Sequence, residues 1–457
     1  MPRSFTPRRL LSVALWLMLL PSVASAHTAL SRSHPAKDSR LATAPARVTL
    51  WFTARPQLGF SSIRLLGPDG EVPMERPTAD TVNAIAANIG QRLPPGEYRV
   101  QWQTASADGH PIRGEFTFTV LTADGAQAPV PATPVAAGGG DEHADHAPSP
   151  EAHLRHSEYR TVRWVEFVAL LTILGVLGLR AGVLPTLAAR GVSTADAGDR
   201  ARRLGQSAAG LYLLAAVVRL YTESVAVHGA ERALDPDQLL PMLTATTWGF
   251  GWGAGVAGAV LVFLGWKLSK SRDIGTPVVI TGALGLAMSP ALSGHAAGST
   301  PALLGIALDV LHVTAAGLWI GGLLLVVIAG IPAMRRLPED TRDSAVAGLV
   351  NAFHPLALLC APLVVLTGLG SSWLRLGNLS NLWATAYGVT LLWKLALFVM
   401  VVGLGLYNSL RARRRLGMAT ATRHVRLSAS AELFFAALVL AATMTLIVTP
   451  VPSDMIP

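Results

Sequence analysis

The chain of 457 residues contains one cysteine, Cys360, and charged residues make up only 14% of it. A single thiol excludes a disulfide framework and a zinc site built from cysteines, so any metal site must use His, Met, carboxylates or an N-terminal amine. No GxxxxGK[ST] loop is present, which argues against ATP binding and ATP-driven transport. The formal charge of +9 could suggest nucleic acid, but the basic residues concentrate in short loops between apolar runs, so we exclude nucleic-acid binding.

Apolar sequence is what the chain has in abundance. Hydrophobic residues make up 51% of it, and from about residue 160 onward one apolar run of bilayer-spanning length follows another. Eight spans are predicted, over residues 162–184, 204–227, 246–266, 276–296, 302–331, 346–372, 386–409 and 428–449. We therefore expect an all-α polytopic membrane domain of about eight transmembrane helices within residues 158–450.

The basic residues of the loops predict the orientation. Sixteen Lys and Arg residues lie in the loops that follow spans 1, 3, 5 and 7, against two, Arg232 and Arg375, in the loops on the other side. Basic residues accumulate in cytoplasmic loops, so both ends of the membrane domain are predicted to face outside. Residues 1–26 agree, because a basic start, an apolar stretch and the small residues Ala24-Ser25-Ala26 are typical of a secretory signal.

The exported segment is predicted to be a small antiparallel β-sandwich over residues 27–121. Its runs VTLWFTA, FSSIRLL, VNAIAANI, EYRVQWQTA and EFTFTVL alternate in polarity and are separated by turn sequences. Residues 122–157 lose this pattern and, being rich in Ala, Pro and Gly, indicate a flexible linker. Its histidines, His143, His146, His153 and His156, could collect metal ions loosely, although a solvated spacer is the plainer interpretation.

A first metal site is predicted around the mature N-terminus. Removal of the signal leaves His27 first, and its free amine and imidazole together form a two-nitrogen chelate. Asp108 and His110, two residues apart in an extended segment, present their side chains on one face. An amine, two imidazoles and a carboxylate suit Cu(II) better than zinc or hard cations. Asp-Gly-His could instead be a polar turn that enters a strand.

A second group of candidate residues lies within the spans. An ionisable side chain at mid-bilayer costs about 2.5–3.5 kcal/mol, so each one is a functional or a paired group. Those on the outer side are Glu166, Glu223, His228, His295, Asp309 and His312. Asp309 and His312 share a helix face, and a short loop brings His295 near them, which predicts a copper acceptor. Met288, seven residues before His295, could add a sulfur ligand or simply pack.

A third group of candidate residues lies deeper in the predicted spans. His354, together with Cys360, Met400 and Met444, could mark a path inward. Lys394 and Arg219 are predicted to be partners of intramembrane carboxylates or snorkelling side chains and not copper ligands, because cations repel a metal ion. Glu432, near the inner end of span 8, is a candidate to pair with one of them.

Both halves of the chain resemble known families. The stretches HTALSRSHPAKDS and SADGHPIRGEFTFTV resemble the CopC family of periplasmic copper-binding β-sandwiches, which implies His27, Asp108 and His110 as Cu(II) ligands. Some members also bind Cu(I) through a methionine-rich loop, but this domain has only Met74. The stretches SGHA, DVLHVTAAGLWIGGL and YGVTLLWKLALF, followed by Asn408 and Glu432, resemble the CopD family of membrane proteins linked to copper resistance or uptake.

The resemblance implies a copper-binding protein of the inner membrane, not an enzyme, with both termini on the periplasmic side. It would capture Cu(II) and pass copper, as Cu(II) or Cu(I), to or across the membrane, with the lipid bilayer and periplasmic copper carriers as further partners. One alternative is a redox protein that reduces Cu(II) or holds haem between His295 and His312 or His354. Another is an oxidative copper enzyme, which Asp108 disfavours because it would occupy the position that oxygen needs.

Overall fold

The computed structural model describes residues 30–53, 56–105, 111–122, 150–268, 275–299, 301–412, 421–449 and 451. Its first part is a β-sandwich and its second part is helical throughout, so the predicted fold class is confirmed.

The sandwich consists of a four-stranded and a five-stranded sheet. The strands are β1 (Leu30–His34), β2 (Ser39–Leu41), β3 (Arg47–Phe52), β4 (Ser62–Gly67), β5 (Gly70–Val72), β6 (Thr78–Thr81), β7 (Ala84–Asn88), β8 (Gly96–Ala105) and β9 (Pro111–Val120). They are ordered β1-β3-β7-β6 in one sheet and β2-β9-β8-β4-β5 in the other. Neighbouring strands are antiparallel, except that β2 runs parallel to β9.

Alternation along β8 explains the core of the sandwich. Tyr98, Val100 and Trp102 point inward and are buried, while the residues between them face outward. The Tyr98 ring stacks on Phe118 with 5.4 Å between centroids, and its hydroxyl donates a hydrogen bond of 2.8 Å to the Pro94 carbonyl. Burial raises the pKa of the Tyr98 hydroxyl, and the charge of Asp69 adds to this effect.

The strands that the sequence pattern did not predict are β1, β2, β5 and β6. Each has three to five residues, and β6 is exposed along its whole length. A strand that buries no face shows no alternation of polarity, so the pattern has nothing to detect. The strands β3, β4, β7, β8 and β9, each with three or more buried or half-buried residues among those described, correspond to the predicted runs.

Eight helices of the described part are long and apolar enough to cross a membrane, as predicted. They are span 1 (Glu158–Ala188), span 2 (Ala195–His228), span 3 (Thr247–Leu268), span 4 (Gly275–Leu292), span 5 (Ala302–Met334), span 6 (Glu339–Leu376), span 7 (Ala386–Leu410) and span 8 (Val425–Val448). Shorter helices include Pro236–Thr244, His295–Gly298 and Asn381–Ala384.

Several helices extend beyond the predicted apolar cores. Span 6 starts seven residues before residue 346, because Glu339 and Asp340 occupy its first turn, where carboxylates favour a helix. The helix of span 1 begins at Pro150, so residues 150–157 of the predicted linker are helical. Proline is well suited to a first helical position, and good helix formers follow it. The remaining linker residues, 123–149, lie outside the described part.

Glycines bring span 1 into backbone contact with span 5, and span 3 into backbone contact with span 4. A Cβ on Gly175 in span 1 would collide with the carbonyl group of Gly321 in span 5, and a Cβ on Gly258 in span 3 would lie 2.5 Å from the carbonyl oxygen of Gly282 in span 4. Small residues allow such close helix packing in membranes. Span 5 also contains two π-helical turns, Gly317–Gly321 and Val326–Gly330.

The sandwich lies at the end of the bundle where span 2 finishes and span 3 begins, which we call the sandwich end. The opposite end, with the loops after spans 1, 3, 5 and 7, is the far end. Consecutive spans alternate in direction, so odd-numbered spans run from the sandwich end to the far end.

Candidate metal centre

The three residues of the predicted Cu(II) site lie outside the described residues. His27 precedes β1, and Asp108 and His110 fall in the segment between β8 and β9. The site therefore stays a prediction, and so does the secretory signal of residues 1–26. The structure does describe Ala105, the last residue of β8, which directly precedes the segment with Asp108 and His110.

Ala105 belongs to an apolar contact between the sandwich and the helices. This docking cluster consists of Phe60 and Ala105 from the sandwich with Val227, Met242 and Trp248 from the bundle. The rings of Phe60 and Trp248 meet edge to face with centroids 6.5 Å apart. All five residues are less than 9% exposed, so the sandwich is packed on the ends of spans 2 and 3.

Polar contacts surround this docking cluster. The Gln103 amide donates a hydrogen bond of 2.6 Å to the Val227 carbonyl, and Gln57 donates to Thr247 over 3.2 Å. Arg76 and Asp237 form an ion pair of 3.1 Å that is largely exposed. Exposed pairs contribute little, about 0–1 kcal/mol, so the apolar cluster carries most of the docking energy.

A large cavity begins beside the docking cluster and continues into the bundle. Its volume is about 1930 Å³, and it runs from the sandwich to the space between spans 1, 5, 6, 7 and 8. Its ionisable lining includes Glu223, His228, Asp309, His312, Arg375 and Lys394. It therefore connects the surface of the sandwich with two of the residues predicted to accept copper.

Glu71 is one of the carboxylates at the sandwich wall of this cavity. Arg64 donates hydrogen bonds of 2.8 and 2.6 Å to its two oxygens. These bonds lower the pKa of Glu71, so the carboxyl is ionised at neutral pH but held by a cation of its own sheet.

Asp309 makes an ion pair inside the cavity. Its carboxylate accepts hydrogen bonds of 2.9 and 2.8 Å from Arg375 in the last turn of span 6, and one of 3.2 Å from the Ser371 hydroxyl. The side chains of Arg375 and Asp309 are 23% and 21% exposed. Arg375 was expected in an outer loop. Nothing in its local sequence indicates that it pairs with Asp309, 66 residues earlier in the chain.

His312 is oriented by span 6. Its Nδ1 lies 3.0 Å from the Thr367 hydroxyl, which in turn donates to the Leu363 carbonyl over 2.6 Å. The Val364 carbonyl also accepts a hydrogen bond from the ring. The Thr367 hydroxyl has one proton, already given to Leu363, so Nδ1–H is the donor. Nε2 then keeps its lone pair, which is the form in which a histidine binds a metal.

His295 begins the short helix His295–Gly298 between spans 4 and 5, and its side chain lies outside the described part. The predicted acceptor of His295, Asp309 and His312 therefore stays a prediction. Among the side chains that the structure describes, no three His, Cys, Asp or Glu residues form a metal-binding group.

Three family models match the chain. The CopC domain model covers residues 30–121, the model for the Copper resistance protein D-like N-terminal domain covers residues 156–306, and the Copper resistance protein D model covers residues 347–446. The chain belongs to the CopC/CopD copper resistance family. With its eight apolar helices it is a multi-pass membrane protein.

Individual relatives cover either the whole chain or its first domain. "Copper transport protein CutJ" of Bacillus subtilis (strain 168) is 28% identical over 450 residues, which are 95% of this chain and 77% of CutJ. "Copper resistance protein C" of Escherichia coli is 36% identical over 107 residues, 21% of this chain and 83% of the relative. A crystal structure of PcoC, a methionine-rich copper resistance protein from Escherichia coli, also matches this chain. The sequence identity is 32%, the match covers 21% of this chain and 99% of PcoC, and the TM-score is 0.20.

In this CopD-like bundle a second buried ion cluster contains Arg163, Glu166 and Arg219. Glu166 pairs with Arg163 on its own helix and with Arg219 of span 2 over 3.6 Å. Arg219 also donates to Ser293 over 2.8 Å and lies 5.2 Å from the Trp248 ring. The prediction that Arg219 is the partner of an intramembrane carboxylate is confirmed.

Glu432 is not the partner of Lys394 or Arg219. It accepts a hydrogen bond of 3.0 Å from Asn408 and another from Trp319. Lys394 lies in the cavity, 11 residues before Gly405, the span 7 residue that touches Glu432, which is about 17 Å along a helix. Opposite charge in the sequence could not reveal that Glu432 contacts span 7 at Gly405, about three helical turns from Lys394.

The residues suggested as an inward path are placed differently from one another. Cys360 and Met444 are buried, whereas Met400 is 48% exposed on the outside of span 7. Their role as a path stays a prediction, as does that of His354.

Proposed function

We propose that this protein captures Cu(II) outside the cell membrane with its CopC-like domain and passes copper into or across the membrane through its CopD-like bundle. Membership of the CopC/CopD family supports this proposal, as does the name of the relative CutJ, a copper transport protein. The ligands proposed for capture are the N-terminal amine and imidazole of His27 with Asp108 and His110.

The observation that carries the proposal is the position of the docking cluster. Ala105 is packed against the bundle, and the segment with Asp108 and His110 begins at the next residue. A chain extends at most about 3.6 Å per residue, so Asp108 lies within about 11 Å of Ala105. Copper held there would be close to the cavity that leads to His312.

The sandwich end is proposed to face the periplasm. A secretory signal before His27 would export the sandwich, and the sixteen basic residues of the far-end loops would keep that end in the cytoplasm. The two arguments are independent, because one concerns the first 26 residues and the other the loops after residue 188.

The proposed acceptor is His312 with Asp309 and His295. Nε2 of His312 carries the lone pair that a metal ion needs, because Nδ1–H donates to the Thr367 hydroxyl. Asp309 could add an oxygen ligand after exchanging the Arg375 guanidinium for the metal ion, since both cations compete for the same carboxylate.

Cellular copper content tests this proposal. His295→Ala and His312→Ala, expressed at the parent level, are expected to abolish the protein-dependent change in cellular copper measured by mass spectrometry. Both variants should retain the Cu(II) electron paramagnetic resonance spectrum of the purified chain. His34→Ala, at an exposed histidine of β1, is the matched control and should behave as the parent. If both cavity variants alter cellular copper as the parent does, the acceptor lies elsewhere.

The capture site has a separate test. One extra residue before His27 should remove the amine from the metal and change the Cu(II) resonance spectrum of the full chain, and an unchanged spectrum would contradict the site. Capture should weaken as pH falls, because the amine and both imidazoles must lose protons to bind. An absorption spectrum of the same sample decides the haem alternative, because haem has an intense Soret band.

A further inference from the structure

The far half of the bundle holds a polar cluster that the copper proposal does not use. Glu432 in span 8 is 3% exposed. Its Oε2 accepts from the Asn408 amide, whose carbonyl oxygen accepts a short hydrogen bond of 2.5 Å from Ser428. Ser428 therefore fixes the orientation of the Asn408 amide, so that its NH₂ group faces the carboxyl.

The described groups that contact Glu432 are neutral. From span 7 it faces Gly405 and Asn408, and from span 5 it faces the Trp319 indole, which donates a hydrogen bond to it. None of these three groups titrates. Within the described side chains, no Arg, Lys or His forms an ion pair with Glu432.

A buried carboxylate without a cation is costly, because the surrounding protein and lipid do not replace its hydration. Two neutral donors reduce this cost but add no opposite charge. The acid form, which carries no net charge, is therefore the form that suits this position while nothing cationic is near.

Glu432 lies directly below the inner end of the cavity. Trp319, which donates to Glu432, also lines the cavity, and its ring meets Phe398 edge to face with centroids 6.3 Å apart. Ala436, one helical turn from Glu432 toward the sandwich end, is a lining residue as well. A cation that reached this cavity floor would thus be separated from the carboxyl by about one layer of side chains.

The two ends of the cavity therefore differ in charge compensation. At the sandwich end Asp309 is paired with Arg375, so its negative charge is balanced before any metal ion arrives. At the far end the partners of Glu432 among the described side chains are hydrogen-bond donors without a positive charge. An arriving cation would change the balance at Glu432 more than at Asp309.

We propose that Glu432 is a proton-binding site coupled to copper at the cavity floor. When a copper ion reaches the floor, the O–H bond of the Glu432 acid breaks and its proton passes to water at the far end. The carboxylate takes up one proton again when the ion has left. No electron is transferred. This inference rests on the proposed movement of copper through the cavity.

Infrared difference spectroscopy of the full chain in lipid tests the proton directly. At neutral pH we expect the C=O band of a protonated carboxyl, which decreases when copper is added. Glu432→Gln should lose this band, and Glu432→Asp should shift it while keeping the response to copper. Glu339→Gln, the same chemical change at an exposed carboxylate of the far end, should leave the band intact.

Copper flux into liposomes gives the second measurement. The rate should depend on the pH of the far-end solution in the parent and in Glu339→Gln, and this dependence should be lost in Glu432→Gln. Absence of the infrared band at neutral pH, or a band that copper leaves unchanged, would overturn the inference. If the parent shows no copper flux, the proposed transport function fails, while the infrared response to copper still decides the role of Glu432.

Discussion

Spans 1 to 5 and spans 6 to 8 differ in how they are packed. In the most apolar window of span 1, 67% of residues are buried, against 11% in span 7. The first group has backbone contacts at Gly175 and Gly321, whereas the second group surrounds much of the cavity. The first group therefore forms a close-packed scaffold, and the second completes a cavity whose remaining wall comes from one side of that scaffold.

Ion pairs also differ between the inside of the scaffold and its boundary with the second group. The pair of Arg219 and Glu166 within the scaffold is 0% and 2% exposed, whereas the pair of Arg375 in span 6 and Asp309 in span 5 is 23% and 21% exposed. Water or an ion can reach the second pair but not the first. An intramembrane ion pair thus holds helices together in one region and is available for exchange in the other.

Neutralising the carboxylate of each ion pair is the strongest test of this difference in exposure. Glu166→Gln leaves two buried guanidinium groups facing a neutral amide and should cost about 3 kcal/mol or more in the free energy of unfolding. Asp309→Asn leaves Arg375 in a partly hydrated site and should cost about 1 kcal/mol. Detergent-induced unfolding of the purified chain measures both, and equal losses would contradict the distinction.

Filling a glycine in each region gives a smaller effect. Gly175→Ala places a methyl group against the backbone of span 5 and should cost about 1–3 kcal/mol through overpacking. Gly403→Ala in span 7 meets no atom within 4 Å and should be neutral or stabilise the helix by about 0.5–1 kcal/mol. The same unfolding assay compares them. A large loss in the free energy of unfolding of Gly403→Ala would contradict the open space beside Gly403.

A small loss of stability is expected when the hydrogen bond that orients His312 is removed. Thr367→Val removes the acceptor of Nδ1–H and should cost about 1 kcal/mol. If His312 binds copper, affinity at the cavity site should also fall about 10–100-fold, because the ring is no longer held. Thr390→Val in span 7, where the hydroxyl donates to its own helix, is the control. Unchanged copper affinity in Thr367→Val would separate His312 from the metal.

The fold could be predicted from the sequence because its signals are long and repeated. Each span contributes about twenty apolar residues, and strands such as β8 alternate over ten positions. The short exposed strand β6 gave no such signal. The helix that contains span 1 begins at Pro150, and the sequence did not predict this start because a polar helix and a polar linker have similar composition.

The candidate site could be predicted only in part. Sequence spacing places Asp309 and His312 on one face of a helix, since that relation is local. Their partners Arg375 and Thr367 come from span 6, and only tertiary packing brings them there. Glu432 was likewise identified as a candidate, but the cation partner predicted for it was wrong. Charge alone does not specify which groups meet at the same height in a helix bundle.

The docking cluster has a consequence for the order of synthesis. Every bundle residue in it belongs to spans 2 and 3 or the segment between them, so its surface is complete once the chain has been made as far as Trp248. Domains generally fold as units, with the N-terminal one first during synthesis. The sandwich can therefore pack on the emerging bundle before the last three spans enter the membrane, so the docking cluster can form before the cavity is closed.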